Sequence, residues 1–256
     1  MKTIGILGGM GPEATAYFFD LIIRNTAAAQ DQDHLPIVVY NCPQVPDRTR
    51  AILEGGESPL ARLVQGEAAL RAAGADFGVI PCVTAHYFLA GLTAAAPLPF
   101  LDLLAETVQR TKSLVPPIKT LGLLATSGTV RSGLVHRAFA KAGINVITPG
   151  PRGQRNIMTA IYGRRGIKAG VTEGRPRELV LAEAKALVRQ GAGAIMAGCT
   201  EIPLVLRAQD VPVPLVEPLL IGARACILKA GGKLKPQRDV LLKPLAGRPR
   251  AMRRLG

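Results

Sequence analysis

The sequence predicts an α/β protein of two pseudo-symmetric lobes, each a mostly parallel sheet flanked by helices. Three observations lead there. Short β-branched runs alternate with helix-length stretches. Two landmarks recur at one fixed offset along the chain. The 256 residues, 48% of them hydrophobic, are enough to bury roughly 70–75% of the unfolded surface without staples.

In chain order, "TIGIL" (3–7), "PIVVY" (36–40), "FGVIP" (77–81), "TLGLL" (120–124), "INVIT" (144–148) and "GAIMA" (193–197) read as strands. Helical stretches fall between them at 12–29, 60–73, 131–142 and 178–189. Strands separated by helices require crossover connections, hence parallel pairing with right-handed crossovers. The late segment "VPLVEPLLIGARACILKAG" adds a strand-like run and a helix, expected to pack back on the first lobe.

The chain also resembles itself. "TIGIL" at 3 and "TLGLL" at 120 lie 117 residues apart, and so do Cys82 and Cys199. The segments ending at those cysteines, "AAGADFGVIPC" and "RQGAGAIMAGC", align Gly74 with Gly191 and Ala75 with Ala192. The expected division is residues 1–101 plus 209–232 for the first lobe, 102–208 for the second, and 233–256 for a basic, disordered tail. In open parallel sheets ligands sit beyond the carboxyl ends of the strands. Lobes related by an approximate two-fold would bring both thiols into one cleft.

Charge is unevenly spread. The last 24 residues hold eight Lys or Arg and one Asp, a net +7, half of the chain's +14. The tail has no aromatic residue to stack on bases, so nucleic acid is not the expected partner. The four cysteines form no CxxC or Cys/His cluster, which argues against a zinc site or a disulfide framework. The long uncharged stretch 77–101 contains Pro81, Pro97 and Pro99, a poor membrane span. Together with the lack of a signal-peptide pattern, this sets the expectation of a cytoplasmic protein.

Cys82 and Cys199 carry the chemistry. Each ends an equivalent strand and is followed, at once or after one residue, by Thr near a predicted helix start, where a thiol's pKa falls. Two thiols facing one carbon from opposite sides suit stereoinversion: one removes a proton, the other returns one to the far face. Cys42 and Cys226 have no partner at the 117 offset and read as core residues.

"GILGGMGPEAT", "PCVTAH" and "GCTEIPL", with "PDRT" (46–49) and "IYGRRGIKAG" (161–170), make the chain resemble the aspartate/glutamate racemase family up to about Gly232. The resemblance implies a cofactor-independent amino-acid racemase with its site between two lobes, interconverting L and D forms of aspartate or glutamate. It implies Cys82 and Cys199 as the acid/base pair. Arg48 matches a residue that binds a substrate carboxylate, and Lys168 matches a second substrate-binding position. Val83, Thr84 and Ala85 match the segment that holds the substrate carboxylate, and Met10 matches a position lining the cleft. Thr200 and Glu201, beside the second thiol, complete the candidate site. Relatives commonly carry Asn where this chain has Val83, which removes a side-chain hydrogen bond to substrate. The expected partners are a small acidic amino acid and a second copy of the chain.

Other readings stay open. An isomerase or decarboxylase of the same superfamily would act on another carboxylate, using one cysteine mainly. "GMGPEA" (Gly9, Gly11, Ala14) fits a dinucleotide-binding turn, opposed by Glu13 at the helix start and by the lack of an acidic residue after "PIVVYNC". A thiol–disulfide role would need bonded sulfurs. His86, four residues past Cys82, reads either as a charge relay or as a packing histidine.

Overall fold

A computed structural model describes residues 1–114 and 116–236. Two four-stranded parallel sheets form its frame. The first contains β1 (Ile4–Gly8), β2 (Ile37–Asn41), β3 (Phe77–Val79) and β4 (Phe100–Leu101), in the order β2-β1-β3-β4. The second contains β5 (Thr120–Leu124), β6 (Asn145–Ile147), β7 (Ala194–Ala197) and β8 (Leu215–Val216), in the order β6-β5-β7-β8. The two orders are the same topology.

The 117-residue offset survives in the pairing. Ile4 stands opposite Phe77 in the first sheet, and Leu121 opposite Ala194 in the second. Each central strand carries a glycine at the same place. A Cβ on Gly5 would lie 2.9 Å from Cβ of Ala75, and one on Gly122 would lie 3.1 Å from Cβ of Ala192. Gly74 and Gly191 both take positive φ, 84° and 94°, in the turn that feeds the strand. Only glycine adopts that conformation without strain, so the aligned residues do the same mechanical task.

Helices cover the sheets: α1 (Pro12–Asn25), α2 (Arg48–Leu53), α3 (Leu60–Ala72), α4 (Leu89–Ala95) and α5 (Leu103–Lys112) in the first half. The second half has α6 (Ser127–Arg131), α7 (Leu134–Ala140), α8 (Pro151–Tyr162), α9 (Arg175–Arg189) and α10 (Pro218–Lys229). The helix expected at 131–142 is broken at Gly133, which adopts φ 67° and starts α7.

The last helix of each half crosses over. α10 follows a strand of the second sheet yet packs against α1 and α5, while α5 follows the first sheet and packs against α7 and α10. The sequence "PLLIGARACILK" of α10 is apolar around most of its circumference, so it must be covered on several sides. One large core therefore holds Phe18 and Leu21 of α1, Leu103 of α5, Phe139 of α7 and Leu219 of α10 together.

Two boundaries shift. The strand at 215–216 lies beside β7 in the second sheet, so the first lobe's expected segment 209–232 contributes its helix but not its strand. The tail expected from 233 begins as ordered chain: Leu234 bridges Thr26, the Ala27 N–H donates to Lys233 O, and the Lys235 N–H donates to Asn25 O. Leu234 also packs on the core, which explains why the first tail residues stay attached. Residues 237–256, the rest of that tail, lie outside the described residues. Among the described residues no helix is long and apolar enough to cross a membrane, and no cluster of His, Cys, Asp and Glu could hold a metal ion.

Candidate active site

The carboxyl ends of β1, β3, β5 and β7 converge on one small cavity of about 10 Å³, room for roughly one water. Met10, Arg48, Cys82, Val83 and Thr84 line it from the first half, and Lys168, Cys199, Thr200 and Glu201 from the second. Ala85 does not line it: this residue is fully buried in the first lobe's core, because the 3-10 turn Thr84–Phe88 rotates it inward. Thr49, Thr126 and Tyr162 also line the cavity. The sequence reading passed over these three, although Thr126 stands 117 residues from Gly9 and Tyr162 lies within "IYGRRGIKAG".

Cys82 follows β3, and its backbone is anchored by His86. The His86 ring accepts the Leu103 N–H at Nε2 (3.0 Å), which leaves Nδ1 protonated to donate to Cys82 O (2.9 Å). Burial holds the imidazole pKa below its usual value, against the pull of that bond and of Asp102. His86 is thus a neutral tie between the first thiol's loop and α5, not a relay.

Arg48 opens α2, whose N-cap is Asp47: one carboxylate oxygen accepts the Arg50 N–H at 2.9 Å. The guanidinium is only 8% exposed. Its Nη1 donates to Val45 O (3.0 Å) and Pro46 O (2.9 Å), and Nη2 reaches Met10 O at 3.5 Å. Nε is buried with no partner. Burial opposes the charge, but the Cys82 thiol and Asp47 carboxylate outweigh it and hold the arginine above its ordinary pKa.

The second thiol has different company. Cys199 Sγ donates to Glu201 Oε2 at 2.8 Å, and the other oxygen of Glu201 is ion-paired with Lys168 Nζ. Burial first, then the Glu201 charge, pushes the Cys199 thiol well above its usual pKa, and Lys168 offsets only part of this. Lys168 also resists burial: Glu201 and the cysteines keep its pKa above the ordinary lysine value. The α-helix start expected beside each thiol is a 3-10 turn instead, Thr84–Phe88 after Cys82 and Ile202–Leu204 after Cys199. Burial and the Glu201 charge, rather than a helix dipole, set the state of Cys199.

At the 117 offset Thr84 is the counterpart of Glu201. Where the second half has a carboxylate, the first has a hydroxyl, 2.7 Å from Thr129 Oγ1 and 3.3 Å from Thr126 Oγ1. These three threonines tie the halves together at the cavity. All four cysteines are free thiols, and Cys42 and Cys226 stay outside the lining.

The model of the Asp/Glu/hydantoin racemase family matches residues 7–226. The chain is 26% identical over 234 residues, 89% of it and 95% of the relative, to the broad specificity amino-acid racemase RacX of Bacillus subtilis. Superposition on the aspartate racemase of Picrophilus torridus gives a TM-score of 0.82 at 30% identity, covering 92% of this chain and 96% of that one. A glutamate racemase from Francisella tularensis, in complex with D-glutamate, shares the fold: TM-score 0.64 at 15% identity, covering 90% and 82% of the two chains.

Proposed function

Because the chain belongs to the Asp/Glu/hydantoin racemase family, we propose that it inverts the α-carbon of an acidic amino acid by passing protons between Cys82 and Cys199, without a cofactor. The observation that carries this reading is the pair of thiols, at equivalent strand ends in the two halves, on the lining of one cavity. One cysteine, as thiolate, takes the α-proton and becomes a thiol. The other gives its proton to the opposite face and becomes a thiolate. A turnover therefore leaves the enzyme primed for the reverse direction until protons exchange with solvent.

The surroundings suit an asymmetric start. Glu201 favours the protonated form of Cys199, which makes Cys199 the acid and Cys82 the base of the first half-reaction. Carbanion charge spreads onto the substrate's α-carboxylate, where fixed donors lower the barrier. The lining supplies hydroxyls from Thr49, Thr84, Thr126, Tyr162 and Thr200. The unpartnered Arg48 Nε is a free donor for a carboxylate, whereas Lys168 is already committed to Glu201.

Val83 favours a wider substrate range. It is buried and lines the cavity with methyl groups, where an Asn would offer an amide. The resemblance to a broad specificity racemase supports testing neutral amino acids beside acidic ones. The test uses purified protein, no added cofactor, and L- or D-aspartate, L- or D-glutamate and a panel of neutral amino acids in D2O. Deuterium at the α-position together with inversion is expected for the acidic pair. Exchange with no amino acid, or racemisation retained in both Cys82→Ala and Cys199→Ala, refutes the proposal. A homodimer in the cytoplasm belongs to the same proposal and is checked by light scattering and fractionation.

A further inference from the structure

The cavity is too small for an amino acid as it stands, so the halves must part to admit one. At the rim a tyrosine side chain reaches from one half to the other. Tyr162, the last residue of α8 in the second half, donates its hydroxyl to Asp47 Oδ2 in the first half at 3.0 Å. The other oxygen of Asp47 caps α2, the helix that begins with Arg48. Meanwhile the ring of Tyr162 lies under the Lys168 ammonium, 5.7 Å from Nζ to the ring centroid, within cation–π range. The same residue is 39% exposed, so its hydrogen bond can exchange with water when the rim opens.

We infer that Tyr162 is a positioning residue and latch: its hydroxyl, through Asp47, holds the Arg48 helix against the second half, while its ring supports Lys168, so that closing the cleft sets both cations at once. The inference rests on the cavity being the substrate site, but the latch itself can be read without any turnover. Substrate enters when the Tyr162–Asp47 bond breaks and is enclosed when it reforms. Loss of the bond weakens the closed state in substrate-bound and transition states alike, which raises KM and leaves kcat in place.

The test is the rate at which iodoacetamide alkylates each cysteine of the full chain, resolved by peptide mass spectrometry. Cys82 and Cys199 line the cavity, and Cys226 lies in the large core as an internal control for global loosening. Tyr162→Phe keeps the ring and loses the hydroxyl. Asp47→Ser keeps a helix cap but is too short to reach Tyr162. Each variant is expected to speed alkylation of Cys82 and Cys199 by about 2- to 10-fold, the range of one net hydrogen bond. Cys226 is expected to stay at its wild-type rate, and the double variant to add nothing further. In the racemisation assay KM rises by a similar factor at unchanged kcat. Unchanged cavity-thiol rates in Tyr162→Phe, additive effects in the double variant, or acceleration of Cys226 alongside the others overturn the latch. If the wild type racemises nothing, the functional proposal falls while the alkylation rates still decide the latch.

Discussion

Glu201→Gln isolates the electrostatics of the second thiol. The side chain keeps its shape and loses its charge. A carboxylate oxygen 2.8 Å from sulfur opposes a thiolate by about 6 kcal/mol at an effective dielectric constant of ~20. Lys168 offsets part of that repulsion in the wild type, and the amide oxygen of Gln can still accept the S–H. The Cys199 pKa is therefore expected to fall. The assay is the pH dependence of iodoacetamide alkylation, with Cys199 read separately from Cys82; the midpoint does not depend on how open the cleft is. Both enantiomers must lose kcat/KM by the same factor, since their equilibrium constant in solution is unity. A Cys199 midpoint that is unchanged or higher in Glu201→Gln would refute the reasoning, because the carboxylate would then not be what keeps that thiol protonated.

The other predictions are more local. Val83→Asn is expected to shift the ratio of kcat/KM for aspartate or glutamate over neutral amino acids upward by about 2- to 10-fold, one hydrogen bond's worth; an unmoved ratio removes Val83 from specificity. Gly122→Ala drives a Cβ against Ile195 Cδ1 (2.7 Å) and Gly5→Ala drives one against Ala75 Cβ (2.9 Å), and each is expected to cost about 1–3 kcal/mol in urea unfolding, with equal losses at the two sites if the halves are mechanically equivalent. His86→Leu should lose about 1–3 kcal/mol at pH 8 by leaving the Leu103 N–H without its acceptor. Burial lowers the folded-state pKa of His86, so its contribution is complete above the unfolded value of about 6.5 and is lost as pH falls through the folded value. The variant's stability should accordingly depend less on pH below 6.5, and an unchanged acid slope would argue against a buried neutral ring.

Much of the frame is legible because strand and helix periods differ and because an internal repeat tests itself. Both central strands and both cysteine strands fall where the alternation and the offset put them. The two-residue strand at 100–101 is too short for a pattern, and α2 spans only six residues. Neither periodicity nor the repeat says that the strand at 215 and the helix at 218 belong to different layers; only three-dimensional packing assigns them. Within the site the residue types were readable, but the partnerships were not. Lys168 and Glu201 lie 33 residues apart, and nothing in either motif says that one neutralises the other. Ala85 misled because a motif match carries a whole segment, whereas a 3-10 turn presents only some of its side chains to a cavity.

The exchange of α5 and α10 between the halves has a consequence for how such a site can arise. Each half donates its final helix to the other, so the architecture is that of a swapped dimer written as one polypeptide. In a dimer of identical subunits every residue appears twice, and two facing thiols are bound to have the same neighbours. Fusion lifts that constraint. One copy of a position can be Thr84 and the other Glu201, so that the two sulfurs sit in different company.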